Sequence, residues 1–349
     1  MKSRLKYYTI RFGVLLLSTY VALYLAEIVL WKMEPRQYLR EMYRGVHDVK
    51  DGRPVLKPNH YYRYDDGSRH IEMRTNSYGY RGHEPSPNPK SRVLLIGDSF
   101  TFGALLDQKE TIDARMEAKE PGLEVDNLGV IAYDLPDQLY ALRDWTLPAE
   151  QAVYLFYYND FEAPIEKKVV DGYLVPALRP DGTLLPDEEA RIKIRHTEKQ
   201  NAEAHKFAPV TSMRLPRFRQ VISDSYHRMT NHSFTTPSDL WPYEKDFTIL
   251  VPRSLGYTLE MRDLAVQRNM GFQVAIVPDA EEVRNGRHFP LVAEYIARLK
   301  AAGIPVIDLL PKLSVYDYWS YDVHFNPAGA QVAADEIYKA LKASNPQVQ

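Results

Sequence analysis

Ser99 is the first residue of this chain placed to do chemistry: residues 92–103 read Arg-Val-Leu-Leu-Ile-Gly-Asp-Ser-Phe-Thr-Phe-Gly. Residues 93–96 form an unbroken apolar run, as expected of a strand buried on both faces. Gly97 breaks the run, and Asp98 and Ser99 follow before any helical pattern begins. A serine on the turn leaving the carboxyl end of a parallel strand projects into the crevice where open α/β sheets bind ligands. The buried strand holds the hydroxyl still, which a nucleophile needs. A serine hydroxyl is nevertheless a poor nucleophile at neutral pH, because its proton must leave as the new bond forms. It needs a general base, a group to orient that base, and donors for the oxyanion that develops. In isolation Asp98, Ser99 and Thr101 would read as caps of the next helix. The company this turn keeps decides otherwise.

Three later segments supply that company. Asn127-Leu128-Gly129 follows a strand-like stretch at 124–128, and Tyr158-Asn159-Asp160 follows another at 152–157. Near the C-terminus stands Asp322-Val323-His324-Phe325-Asn326-Pro327-Ala328-Gly329. With Gly97-Asp98-Ser99 these resemble, in order, the four blocks of the SGNH hydrolases, the GDSL-like esterase and lipase superfamily. The resemblance runs from about residue 76 to 341 and lapses between roughly 161 and 251.

It implies a catalytic Ser99 with His324 as general base, and a carboxylate, Asp322, on the other ring nitrogen to fix the tautomer and stabilise the imidazolium. It implies an oxyanion hole built from the backbone N–H groups of Ser99 and Gly129 and the side-chain amide of Asn159. Only Val323 separates Asp322 from His324, where the family commonly has two residues. A one-residue gap is similar to the branch that includes polysaccharide O-acetylation proteins, and it leaves Asp322 and Asp317 both open as the group that orients the ring. Arg81, in a segment at 76–82 often found before the first block, and Tyr133, after the second, are the candidate substrate contacts. Arg81 also reads, more plainly, as a surface or structural salt bridge.

The elements that must position these residues follow from periodicity. Helical patterns at 111–118, 133–145, 255–270, 289–302 and 327–342 alternate with strand-like runs at 93–96, 124–128, 152–157, 272–277 and 305–309. That alternation predicts βαβ units. The expected fold class is α/β: a three-layer α/β/α sandwich around a mostly parallel five-stranded sheet, the flavodoxin-like arrangement the resemblance implies, plus an N-terminal transmembrane helix. Gly172–Val175 and Thr183–Leu185, with Asp181-Gly182 between them, read as a β-hairpin. A charged stretch over 188–228 reads as a helical arm or lid, or as a basic face for lipid headgroups or an anionic polymer.

Composition narrows the rest. A net charge of −2 argues against general nucleic-acid binding, and the absence of cysteine removes disulfides and thiolate chemistry. His196, His205, His227 and His232 lack a ligand spacing, so no metal and no cofactor are expected. Residues 12–31 carry one charge, Glu27, and follow Lys2, Arg4, Lys6 and Arg11. This pattern predicts a single membrane anchor with a cytoplasmic N-terminus and an extracytoplasmic domain, on the periplasmic side of an inner membrane. The expected organisation is therefore an anchor over 1–36, a linker and edge structure with a short helix over 37–90, and a hydrolase-like domain over 91–349 with an insertion at about 161–252. The activity expected is that of a serine esterase on an ester substrate, an acylated glycan or lipid. The rivals are an O-acetyltransferase acting on an exported polysaccharide and a non-catalytic assembly component of an envelope polymer pathway.

Overall fold

The computed structural model describes residues 2–33, 45–65, 70–161, 166–204, 247–319 and 322–344. The chain divides into two compact units. One comprises Met1–Arg36, Asp65–Arg69 and Ile192–Thr236; the other comprises Gln37–Tyr64, His70–Arg191 and Pro237–Gln349.

The first unit contains helix α1 (Lys2–Met33), whose Phe12, Leu15, Leu16 and Leu17 side chains are exposed. Among the described residues no helix is long and apolar enough to cross a membrane, in contrast to the span expected over 12–31. The short helix expected just after Pro35, and everything expected between 205 and 246, lie outside the described residues.

In the second unit β1 (His47–Lys50) and β2 (Arg53–Leu56) pair antiparallel, and β3 (Tyr61–Asp65) pairs with β4 (His70–Arg74). The βαβ rhythm then begins: β5 (Ser91–Ile96), the single turn α2 (Ser99–Phe102), α3 (Ile112–Glu117), β6 (Leu123–Asn127), α4 (Leu135–Asp144) and β7 (Gln151–Phe156). β8 (Lys167–Val170) and β9 (Tyr173–Pro176) form an antiparallel hairpin, followed by α5 (Asp187–Ala204), of which Asp187–Arg191 belong to this unit. The core resumes with α6 (Phe247–Gln267), β10 (Gly271–Ile276), α7 (Ala280–Asn285), α8 (Pro290–Ala301), β11 (Val306–Asp308) and α9 (Pro327–Ser344). The hairpin lies one turn earlier than expected. Tyr173–Pro176 folds back through Asp171-Gly172 onto Lys167–Val170, and Leu184 only bridges Leu178.

The five core strands are ordered β11-β10-β7-β5-β6, all parallel. Because side chains alternate across a strand, each strand feeds two cores. Leu94, Ile96, Tyr154, Phe156, Val274 and Ile276 pack with residues of α4, α6 and α8 on one face. Val93, Leu95, Val125, Val153, Leu155 and Ile307 pack with residues of α3 and α9 on the other. The result is the three-layer sandwich expected, buried on both faces as unbroken apolar strands require. From β5 the chain moves first to β6 on one side, then to β7 on the other. The crevice at this reversal lies at the carboxyl end of β5, where Ser99 stands.

Candidate active site

The turn after β5 is tightly drawn. A Cβ on Gly97 would run into Thr101 Oγ1 and come within 2.9 Å of the Leu155 carbonyl oxygen of β7, so only glycine allows β5 to turn this close to its neighbour. Asp98 caps α2, accepting the Phe100 N–H at 2.9 Å, and Gly103 closes the turn with φ 80°. Ser99 is left half-buried at the head of this turn.

The loop before α9 brings the second half of the site. Asn326 holds that loop: its Nδ2 donates to the Tyr316 and Tyr318 carbonyls at 2.7 and 3.1 Å, and its Oδ1 caps the helix through the Ala328 N–H at 2.8 Å. Pro327 opens α9, at a position where its missing N–H has no partner to lose. The Trp319 N–H donates to the His324 carbonyl at 3.0 Å, and the Phe100 ring lies 4.9 Å from the imidazole, so the ring is held from its backbone and from one side.

Ser99 Oγ and His324 Nε2 lie 2.7 Å apart although 225 positions separate them in sequence. On the other side of the ring, Nδ1 lies 2.5 Å from Asp322 Oδ1, and the same oxygen accepts the His324 backbone N–H at 2.9 Å. The one-residue gap thus makes an Asx-type turn, in which a carboxylate reaches both groups of the residue two positions on. A carboxylate only accepts, so Nδ1 carries the proton, and Nε2 is free to take the hydrogen of Ser99. Asp317 does not compete. It accepts the N–H and hydroxyl of Ser314 at 2.7 and 2.9 Å.

The other expected site residues divide. Asn159, at the carboxyl end of β7, comes to the site: its Nδ2 donates to Asp98 Oδ2 at 2.9 Å. Gly129 is engaged elsewhere. Its N–H donates to Asn127 Oδ1 at 3.0 Å, while the place of its missing Cβ is filled by the Phe102 N and by Thr101. Gly129 is thus a close-packing glycine whose N–H faces the Asn127 side chain. Arg81 is fully buried, donating to the carbonyls of Phe102, Gly103 and Leu106 at 3.1, 2.7 and 2.7 Å. It braces the chain after α2 from beneath and cannot meet a substrate. Tyr133 is also buried, its hydroxyl donating to the Pro54 carbonyl at 2.8 Å, which removes it from substrate contact.

Sequence reasoning missed the polar layer beneath the site. Asp160, next to Asn159, is buried and accepts from Gln138 Nε2 at 2.7 Å, Tyr154 Oη at 2.9 Å and the Tyr157 N–H at 3.2 Å. Burial pushes the carboxyls of both Asp98 and Asp160 above the usual range, and their mutual repulsion adds to the shift of Asp160. Asn127 is tied down from the other side, donating to the Thr101 carbonyl and to Asp113 Oδ1, both at 2.7 Å. Burial lifts the Asp113 carboxyl to about 6. The available signal was type and position: an Asp following the Asn of the third block, and a Gln in the helix after the second. A cavity of about 830 Å³ opens beside Glu72, Arg74, His83, Asp107 and Glu117, and none of the Ser99–His324–Asp322 group lines it.

With this geometry in hand, the similarities are informative in one region. Residues 263–349 match a family described as ALGX, SGNH hydrolase-like domain, acetyltransferase AlgX. The match supports the SGNH superfamily over the segment that carries Asp322, His324 and α9. No curated protein is significantly similar to the chain. Solved structures that resemble it include a member of the lipolytic protein G-D-S-L family from Veillonella parvula, at 12% identity and TM-score 0.38, covering 72% of this chain and 98% of that one. A GDSL-like lipase from Bacteroides thetaiotaomicron resembles it at 13% identity and TM-score 0.39, covering 75% and 93%. Est24, a carbohydrate acetylesterase from Sinorhizobium meliloti, does so at 12% identity and TM-score 0.38, covering 73% and 100%.

Proposed function

We propose that the protein is a serine acyl hydrolase of SGNH type, acting on an ester through Ser99, His324 and Asp322. The observation that carries this reading is the 2.7 Å approach of Ser99 Oγ to an imidazole whose other nitrogen meets a carboxylate. Ser99 Oγ attacks the ester carbonyl carbon while His324 Nε2 takes its proton. Asp322 stabilises the imidazolium that results, and the oxyanion is met by the Ser99 N–H and the Asn159 amide. Collapse breaks the bond to the alcohol oxygen, which receives the proton from His324, and leaves an acyl-Ser99. Water then attacks with His324 again as base, releasing the acid and restoring the serine hydroxyl.

The ALGX description favours a second reading, in which the hydroxyl of a glycan replaces water in the last step and accepts an acetyl group. One experiment serves both. Acid quenching after mixing with an activated acetyl ester should leave acetyl on the peptide containing Ser99, read by mass spectrometry. An unlabelled Ser99 under conditions of turnover would remove the covalent route. Adding a hydroxyl-rich glycan and following the acetyl group into acetate or into sugar then assigns hydrolysis or transfer.

The anchor belongs to the proposal through the sequence alone: four basic residues precede the apolar stretch 12–31. Protease added outside spheroplasts should digest the acyl hydrolase domain. Full protection would reverse that topology.

A further inference from the structure

We propose that Asp98 is the positioning residue of the site: its carboxylate fixes which way the Asn159 amide faces, and so whether the site presents a donor to the oxyanion. The proposal rests on the serine-hydrolase reading for its catalytic consequence and on geometry alone for the orientation. Asp98 is 1% exposed, and its two oxygens are divided. Oδ1 accepts the Phe100 N–H and Oδ2 accepts Asn159 Nδ2, both at 2.9 Å. Asn159 Oδ1 is buried and has no hydrogen-bond partner among the described residues, so nothing on the oxygen side of that amide decides its orientation. Asp98 decides it from the nitrogen side. One hydrogen of the amide goes to the carboxylate, and the other, held in the same plane, is left to face the reacting carbonyl. Since α2 begins at Ser99, the carboxylate that caps the turn also sets the third element of the site.

Capping and positioning predict different results for one substitution. Asparagine caps a helix about as well as aspartate, so if Asp98 only caps α2, Asp98→Asn should be nearly silent. Under the positioning role it is not silent. The oxygen of the introduced amide still accepts from Phe100, which turns its NH₂ group towards Asn159, donor against donor. Rotating the Asn159 amide by a half-turn relieves that conflict, and it places a carbonyl oxygen where the oxyanion would form. The expected result is a kcat lower by about 10²–10³-fold at little-changed KM, the loss associated with one oxyanion donor.

The test uses the full-length protein. In the wild type one Asn159 side-chain amide proton, assigned by its disappearance in Asn159→Ala, should resonate downfield as a carboxylate-bound amide does. Asp98→Asn should abolish that shift, and persistence of the shift overturns the proposal whatever the protein's activity. In kinetics, Asp98→Asn should add less than about 3-fold to the loss already caused by Asn159→Ala, because one acts through the other. Independent, multiplying losses overturn it. The exchanged pair Asp98→Asn with Asn159→Asp restores the hydrogen bond with reversed polarity. It should unfold near the wild-type temperature but remain impaired, and recovery of turnover overturns the positioning role. If Ser99→Ala retains full turnover, the hydrolase reading fails while the amide measurement still judges Asp98.

Discussion

Ser99→Ala is expected to lower ester turnover by at least about 10⁴-fold, with thermal unfolding left within a degree or two of the wild type. The size follows from what is removed. Without the hydroxyl no acyl-enzyme forms, and what persists is binding and the oxyanion donors acting on a water attack. Nearby hydroxyls cannot substitute: Thr101 Oγ1, the nearest in sequence, is buried and faces the Ile96 carbonyl at 3.3 Å. The small effect on stability follows equally. Asp98, not Ser99, supplies the side-chain cap of α2, and Ser99 is half-buried with His324 as the close partner of its hydroxyl. Initial rates on short-chain acyl esters, with melting curves recorded alongside, measure both. Turnover surviving within about 10-fold in a folded variant would be fatal to the nucleophile assignment.

The sheet and the pairing of Ser99 with His324 were legible for a common reason: their signals are local. The runs 93–96 in β5 and 152–156 in β7 are apolar without interruption because both faces are covered, and in β10 only Gln273 breaks the pattern. Ser99 and His324 stand out because a turn of fixed composition surrounds each. What could not be read depends on direction and depth. Gly129 has the right residue type beside the right strand, but sequence does not say which way its N–H points, and here Asn127 takes it. Arg81 and Tyr133 read as candidate substrate contacts until the carbonyls of Phe102, Gly103 and Leu106 and of Pro54 are seen to take their polar ends. The hairpin had two Asp-Gly turn signals ten residues apart, and the strand pairing chose the first. Asp98 was legible only as a cap, because its second partner, Asn159, is 61 residues away.

His324→Ala should match Ser99→Ala in size, a loss of at least about 10⁴-fold in kcat, and the two together should cost little more than either alone. A nucleophile and its base act as one unit, so removing the second member takes away nothing that still works. Added imidazole separates a base from a structural histidine: it should restore part of the turnover of His324→Ala, and a variant it leaves unchanged would place the base elsewhere. Asp322→Asn extends the same logic by one residue. The amide oxygen can still accept both the His324 N–H and the Nδ1 hydrogen as one carboxylate oxygen does now, but it carries no negative charge to stabilise the imidazolium that forms as Ser99 attacks. The expected loss in kcat is about 10²–10⁴-fold. Asp317→Asn supplies the contrast. Asp317 only caps the short turn at Ser314, so turnover should stay within a few-fold of wild type, and an equal loss in both variants would return the orienting role to an open contest.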